Sequence, residues 1–204
     1  MGKRALVLGI GNVLWADEGF GVRCVEALAD SWSFGPEVTL LDGGTQGLYL
    51  LPFLEAVDIL VVFDAIDYGL PPGTLKVIEG DEVPAFMGAK KMSLHQPGFQ
   101  DVIATARLMN QCPETLLLIG CQPEELEDYG GGLRAPVAAQ IAPAVEIALA
   151  RLADWGIEAT PGKGDASLLA DASITRGAYE EGRPSADAAC RIGDARFLPA
   201  REEV

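Results

Sequence analysis

Apolar and polar positions along this chain fall into blocks with two distinct periods. Residues 4–10 form a continuous apolar run behind Lys3 and Arg4, the pattern of a strand buried on both faces. Residues 18–30 change to a helical period, with Phe20, Cys24 and Leu28 four apart on one face. Glu37–Leu41 reads as a second strand, stopped by Asp42-Gly43-Gly44-Thr45. A short helix is expected over 47–56, weakened by Pro52. Asp58–Phe63 is the strongest strand signal and ends at Asp64. Thr74–Ile78 follows the turn Pro71-Pro72-Gly73 as a fourth strand. A helix over 97–110, a strand over Thr115–Gly120 and a helix over 136–154 complete the pattern. Ile141, Val145, Leu149 and Leu152 form one stripe of the last helix, and Pro143 is expected to kink it.

Buried strands alternating with amphipathic helices predict an α/β fold: a three-layer sandwich with a mostly parallel, twisted central sheet flanked by helices. From about Thr160 the pattern fails. The remainder is rich in Ala, Gly, Asp and Arg and poor in large apolar residues. The expected division is therefore one domain over 1–158 and a flexible tail over 159–204.

Composition narrows the function. Of 204 residues, 49% are hydrophobic and 22% charged, sufficient for a real core. A net charge of -15 opposes binding to a phosphate backbone, so no nucleic-acid partner is expected. Lys3-Arg4 before an apolar stretch imitates a signal peptide, but Gly9, Gly11 and Asn12 interrupt the stretch and Asp17-Glu18 closes it. No apolar run reaches transmembrane length, so no membrane partner is expected. Cys24, Cys112, Cys121 and Cys190 make no C-x-x-C pair, which fits reduced thiols in a cytoplasmic protein.

Three segments place acids just beyond a predicted strand: Asp17-Glu18, Asp42 and Asp64. A doubly wound sheet gathers such strand ends along one edge, where open α/β sheets bind ligands. The only histidine, His95, lies in Met92-Ser-Leu-His-Gln-Pro-Gly98, before the third helix. Ser93 and Gln96 form a capping-box pattern there, in competition with Pro97 as the first helical residue. A helix amino end favours neutral imidazole, the form that binds metals. One imidazole with two carboxylates, such as Glu18, Asp64 and His95, suits a divalent borderline ion; zinc, nickel and cobalt all fit. Each residue also has an ordinary structural use. Glu18 can be a first-turn helix acid, Asp42 can hold the Gly43-Gly44 turn, Asp64 can cap a turn, and His95 can be a hydrogen-bonding residue. Gly9-Ile-Gly11 resembles the start of a dinucleotide fingerprint, but position 14 is Leu and two carboxylates crowd the place of a pyrophosphate. No dinucleotide is expected.

The segments Gly9-Ile-Gly-Asn-Val-Leu-Trp-Ala-Asp-Glu-Gly-Phe-Gly-Val-Arg23, Leu41-Asp-Gly-Gly-Thr45, Phe63-Asp-Ala-Ile66 and Ser93-Leu-His-Gln96 occur in this order. Together they resemble the maturation endopeptidases of nickel–iron hydrogenases, over about residues 4–155. The resemblance implies that Glu18, Asp64 and His95 bind metal. It implies a cytoplasmic hydrolase that removes the C-terminal extension of the hydrogenase large-subunit precursor after nickel insertion, recognising nickel carried by that substrate. Pro97 after His-Gln and the long tail depart from the family pattern. No Ser-His-Asp or Cys-His arrangement can be assembled, because the single histidine is committed to the metal. Two compatible routes remain: a metal ion polarising the scissile carbonyl, and a carboxylate acting as general base, for which Asp42 is the candidate. Gly43, Gly44 and Thr45 are the candidate substrate contacts. The alternative function is a non-catalytic nickel-binding checkpoint or chaperone using the same three ligands. A nucleotide-dependent oxidoreductase is the third reading.

Overall fold

The computed structural model describes residues 2–55, 57–84, 99–162, 169 and 172–182. Its centre is a five-stranded sheet of β1 (Ala5–Ile10), β3 (Val38–Gly44), β4 (Ile59–Ala65), β5 (Leu75–Glu79) and β6 (Thr115–Cys121), in the order β3-β1-β4-β6-β5. β1 pairs in parallel with β3 and β4, and β4 with β6; only β5, at an edge, runs antiparallel. Every residue of β1 and β4 is buried, which explains their continuous apolar runs. β5 is half exposed, as an edge strand with one covered face should be.

Two apolar layers sandwich the sheet. On one face, Ala5, Val7, Val61, Phe63, Leu117 and Ile119 pack beneath α1 (Phe20–Ser31) and the last long helix, α5 (Ile141–Asp154). On the other, Leu6, Leu8, Ile10, Leu60, Val62 and Leu118 pack beneath α2 (Leu51–Leu54) and α3 (Phe99–Leu108). The three-layer α/β architecture expected from the alternating pattern is thus the observed one. α1 leads from β1 outward to β3, whereas α2 leads back across to β4, and the two helices lie on opposite faces. The chain therefore reverses its direction of travel between β1 and β4, and the carboxyl ends of these strands flank a topological switch point.

Local differences from the expected elements have physical causes. The helix expected over 136–154 is two pieces, α4 (Ala135–Ala138) and α5, separated at Ala139–Gln140. Pro143 is the third residue of α5, where its missing N–H belongs to the first turn and costs no hydrogen bond, so the break falls before it and not at it. The segment Ala135–Asp154 is long and apolar enough to cross a membrane. Here its stripe of Val137, Ile141, Ala144, Val145, Ala148 and Leu152 fills the core. A second, two-stranded sheet joins β2 (Trp32–Phe34) to β7 (Ala159–Pro161), with Ser33 opposite Thr160. Three-residue strands carry too little periodicity to read. β7 lies past the boundary drawn at 158, and 172–182 packs on the domain as described below; most of the rest of 159–204 lies outside the described residues.

α1 sits unusually close to the sheet at Gly21. A Cβ there would run into the carbonyl oxygens of Phe63 and Ile10 and the amide nitrogen of Ile10, so only glycine permits this approach. The contact sets the depth of α1, and with it the height of the loop between β1 and α1.

Candidate functional site

The loop at the carboxyl end of β1 is built to turn tightly. Gly11 adopts φ +133°, and Asn12 accepts the Leu14 N–H at 3.0 Å through Oδ1. A 3-10 turn follows over Ala16–Gly19 and packs against β4. Glu18 therefore sits in this turn and not in the first turn of α1, where the ordinary helix-acid reading placed it.

The two adjacent acids of the turn have opposite environments. Asp17 has 0% exposure and serves as a backbone staple. Its Oδ2 accepts the N–H groups of Glu124 (2.8 Å) and Glu125 (2.9 Å), and its Oδ1 accepts that of Arg134 (2.7 Å). The loop between β6 and α4 is thereby tied to the loop after β1. The tie is reinforced by the backbone bonds Ala16 N–H to Gly131 O (3.1 Å) and Gly130 N–H to Leu14 O (2.8 Å), and by the edge-on Trp15–Tyr129 ring pair. Glu18, one residue on, is half-buried.

Asp64 occupies the penultimate position of β4, opposite Gly120 of β6, and is 2% exposed. Strand alternation sets it on the face of Leu60 and Val62, the face covered by α2 and α3. Burial, with the nearby Asp64 carboxylate as a second cause, pushes the Tyr68 hydroxyl well above its ordinary pKa. Tyr68 itself is held through its backbone. Gln122 Oε1 accepts the N–H groups of Tyr68 (2.7 Å) and Leu70 (3.1 Å), while its Nε2 donates to Asp67 Oδ1 (3.0 Å). The structure thus brings the element bearing Glu18 against the strand bearing Asp64. The third expected ligand, His95, and its flanking Ser93 and Gln96 lie outside the described residues. α3 packs on the Asp64 face. Among the described residues no group of three or more His, Cys, Asp or Glu side chains is placed to hold a metal ion.

Asp42 lies within β3 rather than beyond it, opposite Gly9, and the pairing skips Gly43 so that Gly44 meets Ile10. Its Oδ1 accepts the Gly44 N–H at 2.8 Å, which is the turn-holding role its sequence allowed. Gly43 is buried and Thr45 exposed. Asp42 follows the parity of Leu40, on the α1 side of the sheet, in a small pocket with Val13, Val22, Arg23 and Glu26. Asp42 and Asp64 consequently leave their strands on opposite faces.

Burial raises the Asp42 carboxyl above its ordinary range, against the opposing effects of the Gly44 N–H and Arg23. A folded-state pKa above the unfolded one means that ionising Asp42 costs stability as pH rises through the carboxylate range, and that the cost persists above the raised value. Asp42→Asn keeps an oxygen for Gly44 and removes the charge. We expect the variant to need more urea than wild type for unfolding at pH 7, with the difference vanishing near pH 3. Matching midpoints at both pH values would disprove this account of Asp42.

Burial pushes Cys24 well up and Cys121 up to about 12, so neither is a ready nucleophile. Asp17, Arg23 and Gln122 carry much of the site's construction; spacing marked Asp17 only as a strand-end acid, and did not single out Arg23 or Gln122. The signal available for Asp17 was its place beside Glu18 in a strand-to-helix loop.

A model of the hydrogenase maturation protease family matches residues 22–151. This chain belongs to that family. The "Hydrogenase expression/formation protein HupD" of Rhodobacter capsulatus is 64% identical over 202 residues, covering 99% of this chain and 96% of that one. The "Hydrogenase 2 maturation protease" of Escherichia coli strain K12 is 43% identical over 159 residues, covering 78% and 96%. The solved structure of the hydrogenase maturating endopeptidase HybD from E. coli superposes with a TM-score of 0.73 at 43% identity, over 78% of this chain and 97% of that one. The protease is accordingly a hydrolase, and the switch-point crevice between β1 and β4 is its candidate active site.

Proposed function

We propose that this protease removes the C-terminal extension from the large-subunit precursor of a nickel–iron hydrogenase, and that it recognises nickel already seated in that precursor through Glu18, Asp64 and His95. The observation that carries this reading is the packing of the Glu18 turn against β4, at the strand end where Asp64 lies and on a switch point where α/β sheets place ligands. Two carboxylates and an imidazole form an oxygen and nitrogen donor set suited to a divalent borderline ion. The nickel is part of the substrate, so the ligands select precursors that have received it.

When present, the ion supplies polarisation of a nearby carbonyl. The chain's own groups orient the peptide and serve the water. Asp42 is the candidate general base, its carboxyl raised by burial toward the range where a base is useful. Because Asp42 and Asp64 face opposite sides of the sheet, a substrate peptide meeting both must cross the carboxyl edge of β1. Gly43, Gly44 and Thr45 line that edge as substrate contacts. Loss of the extension takes place in the cytoplasm on this reading.

The test is to mix purified protease with nickel-loaded and nickel-free precursor and to weigh the products. A shortened chain only from the loaded precursor is the expected result. Equal cleavage of both would overturn nickel recognition. Binding of loaded precursor without shortening would identify a checkpoint in place of a cutting enzyme.

A further inference from the structure

The stretch beyond residue 160 reads as a tail, yet part of it completes a buried charged cluster. Arg23 on α1 is 5% exposed. Its Nη1 donates to Glu26 Oε2 at 2.8 Å and to the carbonyl oxygen of Ile174 at 2.7 Å. Glu26 Oε1 in turn accepts the backbone N–H of Arg176 at 2.8 Å, at the start of α6 (Arg176–Glu181). The Tyr179 ring centroid lies 5.9 Å from Arg23 Cζ. Leu169 packs on the α1-side core, and Ile174 and Thr175 close the pocket of Asp42 and Val13. The Glu180 side chain lies against Gly132, in the loop that Asp17 staples.

A buried ion pair is tolerated only when its remaining donors and acceptors are satisfied. Here the Ile174 carbonyl takes a bond from Arg23 Nη1, and the Arg176 N–H fills the second Glu26 oxygen. The segment therefore joins α1 to the β6–α4 loop, and Asp17 joins that loop to the turn carrying Glu18, which closes a ring around the amino end of α1. The family match ends at residue 151. The E. coli structure, matched over 97% of its length, covers only 78% of this chain, whereas the R. capsulatus relative covers 99%. Leu169 and residues 172–182 thus lie beyond the part of the chain that the family model matches.

We propose that Leu169 and residues 172–182 form a built-in strap that positions the Glu18 turn for substrate, with Arg23 as the positioning residue through which it acts. The inference rests on the reading of Glu18 as part of the recognition site.

The experiment uses the full chain with Leu169→Asp and Ile174→Asp together, which drive carboxylates against Asp42 and Glu26 and release the strap. Tyr179→Ala is a milder second variant. Amide exchange of the free protein is followed at Asp17, Glu124, Glu125 and Arg134, alongside steady-state cleavage of nickel-loaded precursor. The double variant should exchange about ten-fold faster at these amides, the scale of one lost charge-assisted hydrogen bond, while amides of β1 and β4 keep their protection. KM should rise several-fold in the double variant, and Tyr179→Ala, which lies outside the Asp42 pocket, should shift exchange and KM less in the same direction with kcat nearly unchanged. Unchanged exchange overturns the strap, whatever the cleavage data show. Faster exchange without a rise in KM overturns the positioning role. Failure of the nickel reading registers separately, as equal cleavage of loaded and nickel-free precursor by wild type.

Discussion

Glu18→Gln should lower kcat/KM for nickel-loaded precursor by about 100-fold or more, at least the loss typical of disturbing the support of a metal ligand. Glutamine keeps the length and the oxygen of the side chain but removes the negative charge that makes it a good donor to a divalent ion. Glu18 is half-buried in a 3-10 turn rather than in either apolar layer, so the melting temperature should hardly move. The separation of the two readouts is what makes the variant informative. Cleavage at wild-type rate would remove Glu18 from the recognition site. A large fall in melting temperature would instead assign it a structural role like that of its neighbour.

That neighbour should behave in the opposite way. Asp17→Ala should destabilise the protein by about 3–5 kcal/mol, because a buried carboxylate and three backbone N–H groups lose one another at once. At about 2–4 °C per kcal/mol for a chain of this size, the melting temperature should fall by roughly 10 °C. Asp17→Asn keeps one oxygen acceptor and should lose less. Both variants should also impair cleavage, since Asp17 anchors the turn that presents Glu18. Chemical denaturation of the three proteins checks the order wild type, Asn, Ala. A loss under about 1 kcal/mol for alanine would show that the 122–134 loop is held by other means, such as the Trp15–Tyr129 pair.

The contrast between Asp17 and Glu18 illustrates how much of the site was legible. Spacing marked both as acids at a strand end, and nothing in the linear pattern separates them. The 3-10 turn does, by directing one carboxylate into the β6–α4 loop and leaving the next half-buried. Asp42 and Asp64 give a second case. Each was correctly placed near the end of a strand, but both strands run on through their acid, β3 to Gly44 and β4 to Ala65. Alternation then sends the two side chains to opposite faces, a fact that depends on register against β1. Arg23 is a third. On a helical wheel it is one charged residue of α1 among others, with Glu26 and Asp30, and its partner at Ile174 is 151 positions away.

By itself, the order of residues determined the α/β class, the five principal strands, the long helices and the strand-end positions of the acids. These are consequences of local periodicity: a strand covered on both faces must be apolar throughout, and a helix covered on one must repeat every three to four residues. The family motifs were equally readable, since they too are local. Tertiary structure alone decided which acid is buried, which face each carboxylate takes, that Trp32–Phe34 pairs with Ala159–Pro161, and that the supposed tail completes a buried ion pair on α1. Those outcomes depend on backbone groups distant in sequence becoming available as partners, and every residue but proline offers the same main-chain N–H and C=O, so residue type does not mark them.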